Sequence, residues 1–122
     1  MRTNKREIGT TYENRALQFL LKKGCKILEK NYSCKLGEID LIGLDPSNRI
    51  IFVEVKYRSS LEYGPPQLAV HYKKMEHIVK TALVYIKEKK LNGRDFRFDV
   101  MAISPSKIEY IPNAFSSLNY SL

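Results

Sequence analysis

The sequence contains few of the side chains that several enzyme classes require. Of its 122 residues, two are cysteine, two are histidine and none is tryptophan. Two cysteines are too few for a disulfide framework or a four-ligand zinc site, so Cys25 and Cys34 are expected to be free thiols. His71 and His77 point about 240° apart on a helix and cannot hold one metal ion from a shared face. Heme, zinc and Ser-His-Asp chemistry are therefore disfavoured.

Long hydrophobic runs are also missing. No uninterrupted apolar stretch approaches the roughly 20 residues that a membrane-spanning helix needs. The first residues, 1–7, are mostly charged and polar, and no secretory hydrophobic region follows them. We therefore expect a soluble cytoplasmic protein that forms a single domain over residues 1–122.

Positive charge dominates the chain, with 21 lysine and arginine residues against 13 acids and a net charge of +8. Such an excess predicts a polyanionic partner such as nucleic acid. Residues 1–36 carry nine bases and three acids, whereas residues 37–58 carry three bases and four acids. One interpretation is a basic surface around a small acidic centre; the other is a set of solvated lysine-rich helices.

The spacing of apolar residues predicts an α/β protein with the element order αβββαββ. Helices are predicted over residues 7–23 and, opened by the loop Tyr63-Gly64-Pro65-Pro66, onward to about Lys90. Strands are predicted over the ranges 26–32, 37–44, 49–58, 96–103 and 107–111, of which the last is short. Both faces of the strand 49–58 begin with apolar residues, so this strand is expected to be buried at the centre of the sheet.

The strands 37–44 and 49–58 are expected to form a hairpin in which alternate residues share a face. Glu38, Asp40 and Ile42 then lie on one face of the first strand, and Glu54 and Lys56 on one face of the second. If Asp40 lies opposite Glu54, their Cβ atoms are about 4.5–5.5 Å apart, and Glu38 lies opposite Lys56. A register shifted by one residue would place the two carboxylates on opposite faces.

Two carboxylates this close repel each other unless one is protonated or a cation bridges them. Carboxylate oxygens suit Mg²⁺ or Mn²⁺, which use one or two carboxylates together with substrate phosphate. A neighbouring amine such as Lys56 can steer or deprotonate a water, or neutralise charge in the transition state. The same residues fit an ordinary salt-bridge ladder between Glu38 and Lys56 equally well, so both interpretations stay open.

Two motifs in this hairpin, GEIDLI over residues 37–42 and FVEVKYR over residues 52–58, resemble the signatures of the PD-(D/E)XK nuclease superfamily. More closely, the chain resembles the YraN-like family of bacterial proteins, which are similar to archaeal Holliday-junction resolvases. The likeness extends from Gly9 in the first helix to Phe115 near the end. One departure is Ile39, which stands where the superfamily signature has proline.

The resemblance implies a restriction-endonuclease-like sandwich, with a mixed central sheet, an αβββαβ core, a short final strand and helices on the faces. It implies metal ligands at Asp40 and Glu54, a catalytic lysine at Lys56 and an acid at Glu13 that reaches the same metal from the first helix. It also implies Mg²⁺ or Mn²⁺ as cofactor and nucleic acid, DNA first, as substrate. The function expected from it is metal-dependent endonuclease action, with branched or structured DNA as a candidate substrate.

The role of Glu13 has a second interpretation. Residues Thr10 to Glu13 fit a helix capping box, in which the glutamate reaches back to the Thr10 backbone, and on the residues alone this interpretation leads. The resemblance instead starts the helix near Lys5 and leaves Glu13 free to point at Asp40. Glu38 stays open as a metal ligand or as the partner of a neighbouring base.

Contacts to nucleic acid are expected from basic residues around the site and from one glutamine: Lys73, Arg58, Arg15 and Gln67. Gln67 stands one residue further from Tyr72 than the Gln-x-x-x-Tyr pattern of RecB-like nucleases requires. The alternative function is a non-catalytic nucleic-acid-binding module that keeps the nuclease fold. A symmetric substrate would favour a two-fold homodimer, although no sequence feature specifies one.

Overall fold

The computed structural model describes residues 5–58 and 71–117. In chain order the elements are α1 (Lys5–Lys22), β1 (Lys26–Cys34), β2 (Gly37–Leu44), β3 (Ile50–Tyr57), α2 (Tyr72–Glu88), β4 (Phe96–Ile103) and β5 (Ile108–Phe115). The predicted α/β class and the order αβββαββ are confirmed. Across these ranges, neither helix is long and apolar enough to cross a lipid bilayer.

All five strands form one mixed sheet in the order β1-β2-β3-β4-β5. The first three strands are antiparallel neighbours, β3 and β4 are parallel, and β5 returns antiparallel to β4. The parallel pair requires a crossover, since the chain must return to the same end of the sheet between the two strands. The chain between β3 and β4 contains α2, as the sequence predicted.

The final strand is not short, which corrects the prediction. β5 has eight residues, as many as β2, β3 or β4. The prediction ended it at Ile111, whereas the strand continues through Pro112 to Phe115. β5 is the edge of the sheet, and an edge strand accommodates a proline because the missing N–H costs no ladder hydrogen bond on the outer side.

The second helix starts later than predicted. His71 has an extended backbone, with φ −69° and ψ 152°, and acts as the N-cap: its side chain accepts a hydrogen bond from the Lys73 N–H at 3.3 Å. A continuous helix through position 71 is therefore excluded. The loop over residues 63–66 that was predicted to open this helix lies outside the described residues.

Apolar residues pack on both faces of the sheet, and each of the two helices covers one of these faces. On the α2 side, Phe52 stacks on Phe98 with ring centroids 5.5 Å apart and meets the edge of Tyr85 at 6.0 Å. On the α1 side, Ala16 and Leu20 pack with side chains from the other face of the strands. The whole segment Ile50–Glu54 of β3 is buried, which confirms the prediction that β3 is the central strand.

A fully buried carboxylate, Asp99 of β4, links β4 to β5 through hydrogen bonds. Arg97 Nε donates to Asp99 Oδ1 at 3.0 Å and the Asn113 N–H donates to the same oxygen at 2.8 Å, while the Tyr110 hydroxyl donates to Oδ2. Arg97 also pairs with Asp45 at 3.0 Å. Because both of its oxygens accept hydrogen bonds from strand residues, Asp99 is held as a structural acid.

Candidate active site

The candidate site forms where the β2–β3 ladder ends. The last ladder pair is Leu41 with Val53, so Asp40 and Glu54 are the next pair beyond the end of the ladder. Of the two registers that the sequence left open, this is the one that aligns the two acids. At this position the Val55 N–H donates to Asp40 Oδ2 at 2.8 Å. The Asp40 carboxylate therefore accepts the strand hydrogen bond that a backbone carbonyl would otherwise accept.

Asp40 and Glu54 lie close enough to share a hydrogen bond. Glu54 is 8% exposed and Asp40 is half-buried. Burial first, and the negative charge of Asp40 second, raise the pKa of Glu54 from 4.5 to about 8. Burial also raises the pKa of Asp40, against the hydrogen bonds from Val55 and Glu54. With a pKa of about 8, Glu54 keeps its proton at neutral pH and donates it in the hydrogen bond to Asp40.

Strict alternation of side chains along β2 fails at this point. Ile39 and Ile42 both pack in the cluster under α2, although they are three residues apart, and Leu41 packs in the cluster under α1. The prediction that Glu38, Asp40 and Ile42 share one face is therefore wrong. The strand is irregular between Ile39 and Leu41, so that Asp40 lies with Leu41 toward α1, where it lines a cavity and accepts a hydrogen bond from the Val55 N–H.

Lys56 lies on the exposed, outer end of β3, two residues beyond Glu54. Within residues 5–58 and 71–117 it forms neither a hydrogen bond nor an ion pair. The expected pairing with Glu38 lies beyond the end of the β2–β3 ladder; Glu38 pairs only with Ser33 of β1. The salt-bridge ladder that the residues also allowed is thus not formed in the described ranges, and the Lys56 ammonium faces solvent.

Glu13 is in the middle of α1, which begins at Lys5, so the capping-box interpretation is wrong. It lines a small cavity of about 30 Å³ together with Asp40 and other residues of α1 and the first three strands, among them Asn14, Lys30 and Val55. Within the described part of the chain, no three His, Cys, Asp or Glu side chains are close enough to hold a metal ion together. Glu13 therefore faces the same cavity as Asp40 without joining the carboxylate pair.

The sequence relationships agree with the motifs. The model of the uncharacterised protein family UPF0102 matches residues 12–103. The chain belongs to the UPF0102 family. It is 44% identical to a UPF0102 protein of Sulfurihydrogenibium over 93% of this chain and 97% of that one, and 48% identical to one of Thermodesulfovibrio yellowstonii over 89% and 96%. The predicted membership of the YraN-like family is thereby confirmed.

Among solved structures, a repair endonuclease from Pyrococcus abyssi is similar with a TM-score of 0.38 and 15% identity. The similarity covers 86% of this chain, and the UPF0102 protein spans only 39% of that endonuclease.

Lys74 is a candidate site residue that sequence analysis missed. Its Nζ lies 3.8 Å from Glu54 Oε1, which brings a helix-borne positive charge to the carboxylate pair. The sequence feature that could have identified Lys74 is its spacing. It lies four residues before Ile78, and the buried Thr81 and Tyr85 follow at intervals of three and four along the same face of α2. Placing it over β3 requires knowing where α2 packs, which the sequence pattern does not give.

The other predicted contact residues of this UPF0102 protein are spread around the site. Lys73 is exposed in the first turn of α2, whereas Arg58 is buried directly after β3. Arg15 is half-buried and donates from Nη1 to the Ser104 carbonyl at 2.8 Å. Gln67 lies outside the described residues. Among the three described residues, Lys73 is thus exposed, Arg15 is partly accessible and Arg58 is the least accessible.

Proposed function

We propose that this UPF0102 protein is a metal-dependent nuclease that hydrolyses phosphodiester bonds in DNA. The observation that carries the proposal is the pairing of the buried Glu54 with the half-buried Asp40 at the end of the β2–β3 ladder, with Lys56 two residues beyond Glu54 on β3. Two like acids buried together cost stability unless a proton or a cation compensates them. A cation bound by the two carboxylates next to a substrate phosphate would provide this compensation.

The donor set fits a hard divalent cation. Mg²⁺ and Mn²⁺ take oxygen ligands, and Mg²⁺ is commonly bound by one or two carboxylates together with substrate phosphate. Asp40 and Glu54 supply two carboxylates within hydrogen-bonding distance of each other, and an ion held between them would replace the shared proton. When bound, such an ion supplies Lewis acidity toward the phosphate.

The chain's own residues support the binding of a phosphate next to this pair. Lys56 is exposed and engages no other described residue, so its ammonium is available to a phosphate oxygen or to an attacking water. Lys74 holds a second positive charge 3.8 Å from Glu54. Glu13 and Lys30 line the adjoining cavity and can orient water or substrate there. Lys73 at the surface of α2 is placed to contact a neighbouring phosphate.

The test is to incubate forked, four-way and linear DNA with the protein in the presence of Mg²⁺ or Mn²⁺. We expect cleavage by the parent and its loss in Lys56→Ala. Lys87→Ala is the matched control, because it removes one exposed lysine from the far end of α2 and should leave cleavage unchanged. Absence of cleavage by the parent on every substrate and with both ions would contradict the proposal. Salt-sensitive binding without cleavage would instead support a non-catalytic binding module.

Ion binding is tested separately by the thermal shift that Mn²⁺ produces. We expect Mn²⁺ to raise the unfolding temperature of the parent and to have little effect on Glu54→Gln, which loses one ligand charge but keeps its shape. Glu76→Gln changes a half-buried acid on α2 that pairs with Lys80 at 3.0 Å; it is the control and should respond like the parent. An equal thermal shift in Glu54→Gln and in the parent would show that Glu54 does not bind the ion.

A further inference from the structure

A second cavity, of about 450 Å³, lies on the other flank of α1 from the candidate active site. We call it the lateral cavity. It is lined by residues of α1 and the first residue of β5, including Asn14, Arg15, Gln18, Phe19, Lys22 and Ile108. Its volume is within the range of pockets that hold small organic ligands, roughly 300–1,000 Å³.

Among the residues that the structure describes, the lining of the lateral cavity includes two bases and no acid. Arg15 and Lys22 supply positive charge, Asn14 and Gln18 supply amide donors and acceptors, and Phe19 adds an apolar wall. Arg15 uses one N–H for the Ser104 carbonyl, which leaves other guanidinium donors for a ligand. This combination fits a ligand with an anionic part and a flat, partly apolar part, which is the chemistry of a nucleotide.

Two features connect the lateral cavity to the candidate active site. Asn14 lines both this cavity and the cavity that contains Asp40. The Arg15 guanidinium lies 5.3 Å from the centroid of the Tyr12 ring, and that ring lies 4.4 Å from the ring of Tyr57. Tyr57 is 47% exposed and directly follows Lys56. Polar and aromatic groups therefore run from the outer end of β3 over α1 to the lateral cavity.

We propose that the lateral cavity holds one unpaired nucleotide of the strand whose backbone reaches the candidate active site. The inference rests on the proposed nucleic-acid substrate and specifies which structural class of DNA that substrate is. A base inside a duplex is stacked and paired and cannot enter a side pocket without being unpaired first. The preferred substrate is therefore DNA with a single-stranded segment next to the cleavage position, such as a fork or a flap.

The experiment measures binding by fluorescence anisotropy in EDTA, with a labelled oligothymidylate and an abasic oligonucleotide of the same length. We expect the parent to bind the oligothymidylate at least about fivefold more tightly, because stacking of a base contributes about that much or more. Gln18→Glu places a negative charge in the lateral cavity without changing the size of the side chain. It should reduce the ratio of the two affinities at least about fivefold.

Asn92→Asp is the matched control, because it makes the same amide-to-acid change at an exposed turn position outside the lateral cavity. It should lower both affinities alike and keep their ratio. A parent without base preference, or a ratio in Gln18→Glu equal to that in Asn92→Asp, would overturn the inference. The assay contains no divalent ion and measures no cleavage, so its failure is distinguishable from failure of the nuclease proposal.

Discussion

Replacement of Glu54 by glutamine should change the pH dependence of folding in the metal-free protein. In the folded chain the pKa of Glu54 is about 8, whereas the ordinary value is 4.5. Between these pH values the folded protein holds a proton that the unfolded chain has released. The free energy of unfolding therefore falls as the pH rises through this window and is unaffected by this group below it.

The magnitude follows from the size of the pKa shift. One proton contributes about 1.4 kcal/mol per pH unit, so the window from 4.5 to about 8 corresponds to a loss on the order of 4 to 5 kcal/mol. The Glu54 side chain is only 10% exposed, so solvent screening reduces this little. The raised pKa of Asp40 acts in the same direction. Against a typical domain stability of about 5–15 kcal/mol, the effect is large.

Urea unfolding followed by circular dichroism in EDTA, at pH values from 5 to 8, measures the effect. We expect the parent to lose stability steadily over this range, and Glu54→Gln to lose much less and to be more stable than the parent at pH 8. Glu76→Gln should keep the parent's slope, because the pKa of Glu76 is lowered by its hydrogen bond and charge pairing with Lys80 and titrates below the range. A parent with flat or rising stability, or a Glu54→Gln variant with the parent's slope, would refute the reasoning.

Two further substitutions test the framework around the site. Asp99→Ala should destabilise the protein by about 3–5 kcal/mol, because it leaves Arg97 without one of its buried partners and Tyr110 without its acceptor. A change in the free energy of unfolding below about 1 kcal/mol would mean that these groups find other partners. Gly43→Ala should lower the free energy of unfolding by about 1–3 kcal/mol, because a Cβ would lie 2.5 Å from the Lys26 carbonyl oxygen of the neighbouring strand. An unchanged unfolding temperature would show that β1 can move away freely.

The periodicity of the sequence predicted the framework of the sheet well. β2 and β4 have the predicted bounds, and the register between β2 and β3 is the one that aligns Asp40 with Glu54. The bounds depend on local patterns: alternating apolar residues and a strand that is apolar on both faces. Such patterns specify where strands lie and which one is central, whereas the register of the hairpin was left open by the sequence.

The details of the site depend on tertiary packing and were not predictable in this way. Lys74 reaches Glu54 only because α2 packs closely on β2, where a Cβ at Gly37 would lie 3.0 Å from Thr81 Oγ1 and 3.1 Å from His77 Cβ. The break in alternation at Asp40 coincides with a side-chain-to-backbone hydrogen bond from Val55, and no periodicity encodes either feature. The lateral cavity likewise depends on where α1 lies relative to the start of β5.

The chain contains two kinds of buried acid, and their surroundings predict opposite effects on stability. Asp99 accepts hydrogen bonds from a guanidinium, a hydroxyl and a backbone N–H, so its charge is compensated and its removal should destabilise the fold. Glu54 is buried against another carboxylate, and Lys74 is 3.8 Å away, so its ionised form is poorly compensated and its neutralisation above pH 7 should stabilise the metal-free fold. An acid whose neutralisation stabilises the protein is not kept for folding. If Glu54→Gln is instead destabilising at pH 8 in EDTA, Glu54 belongs with Asp99 as a structural residue, and the carboxylate pair no longer supports a cation site.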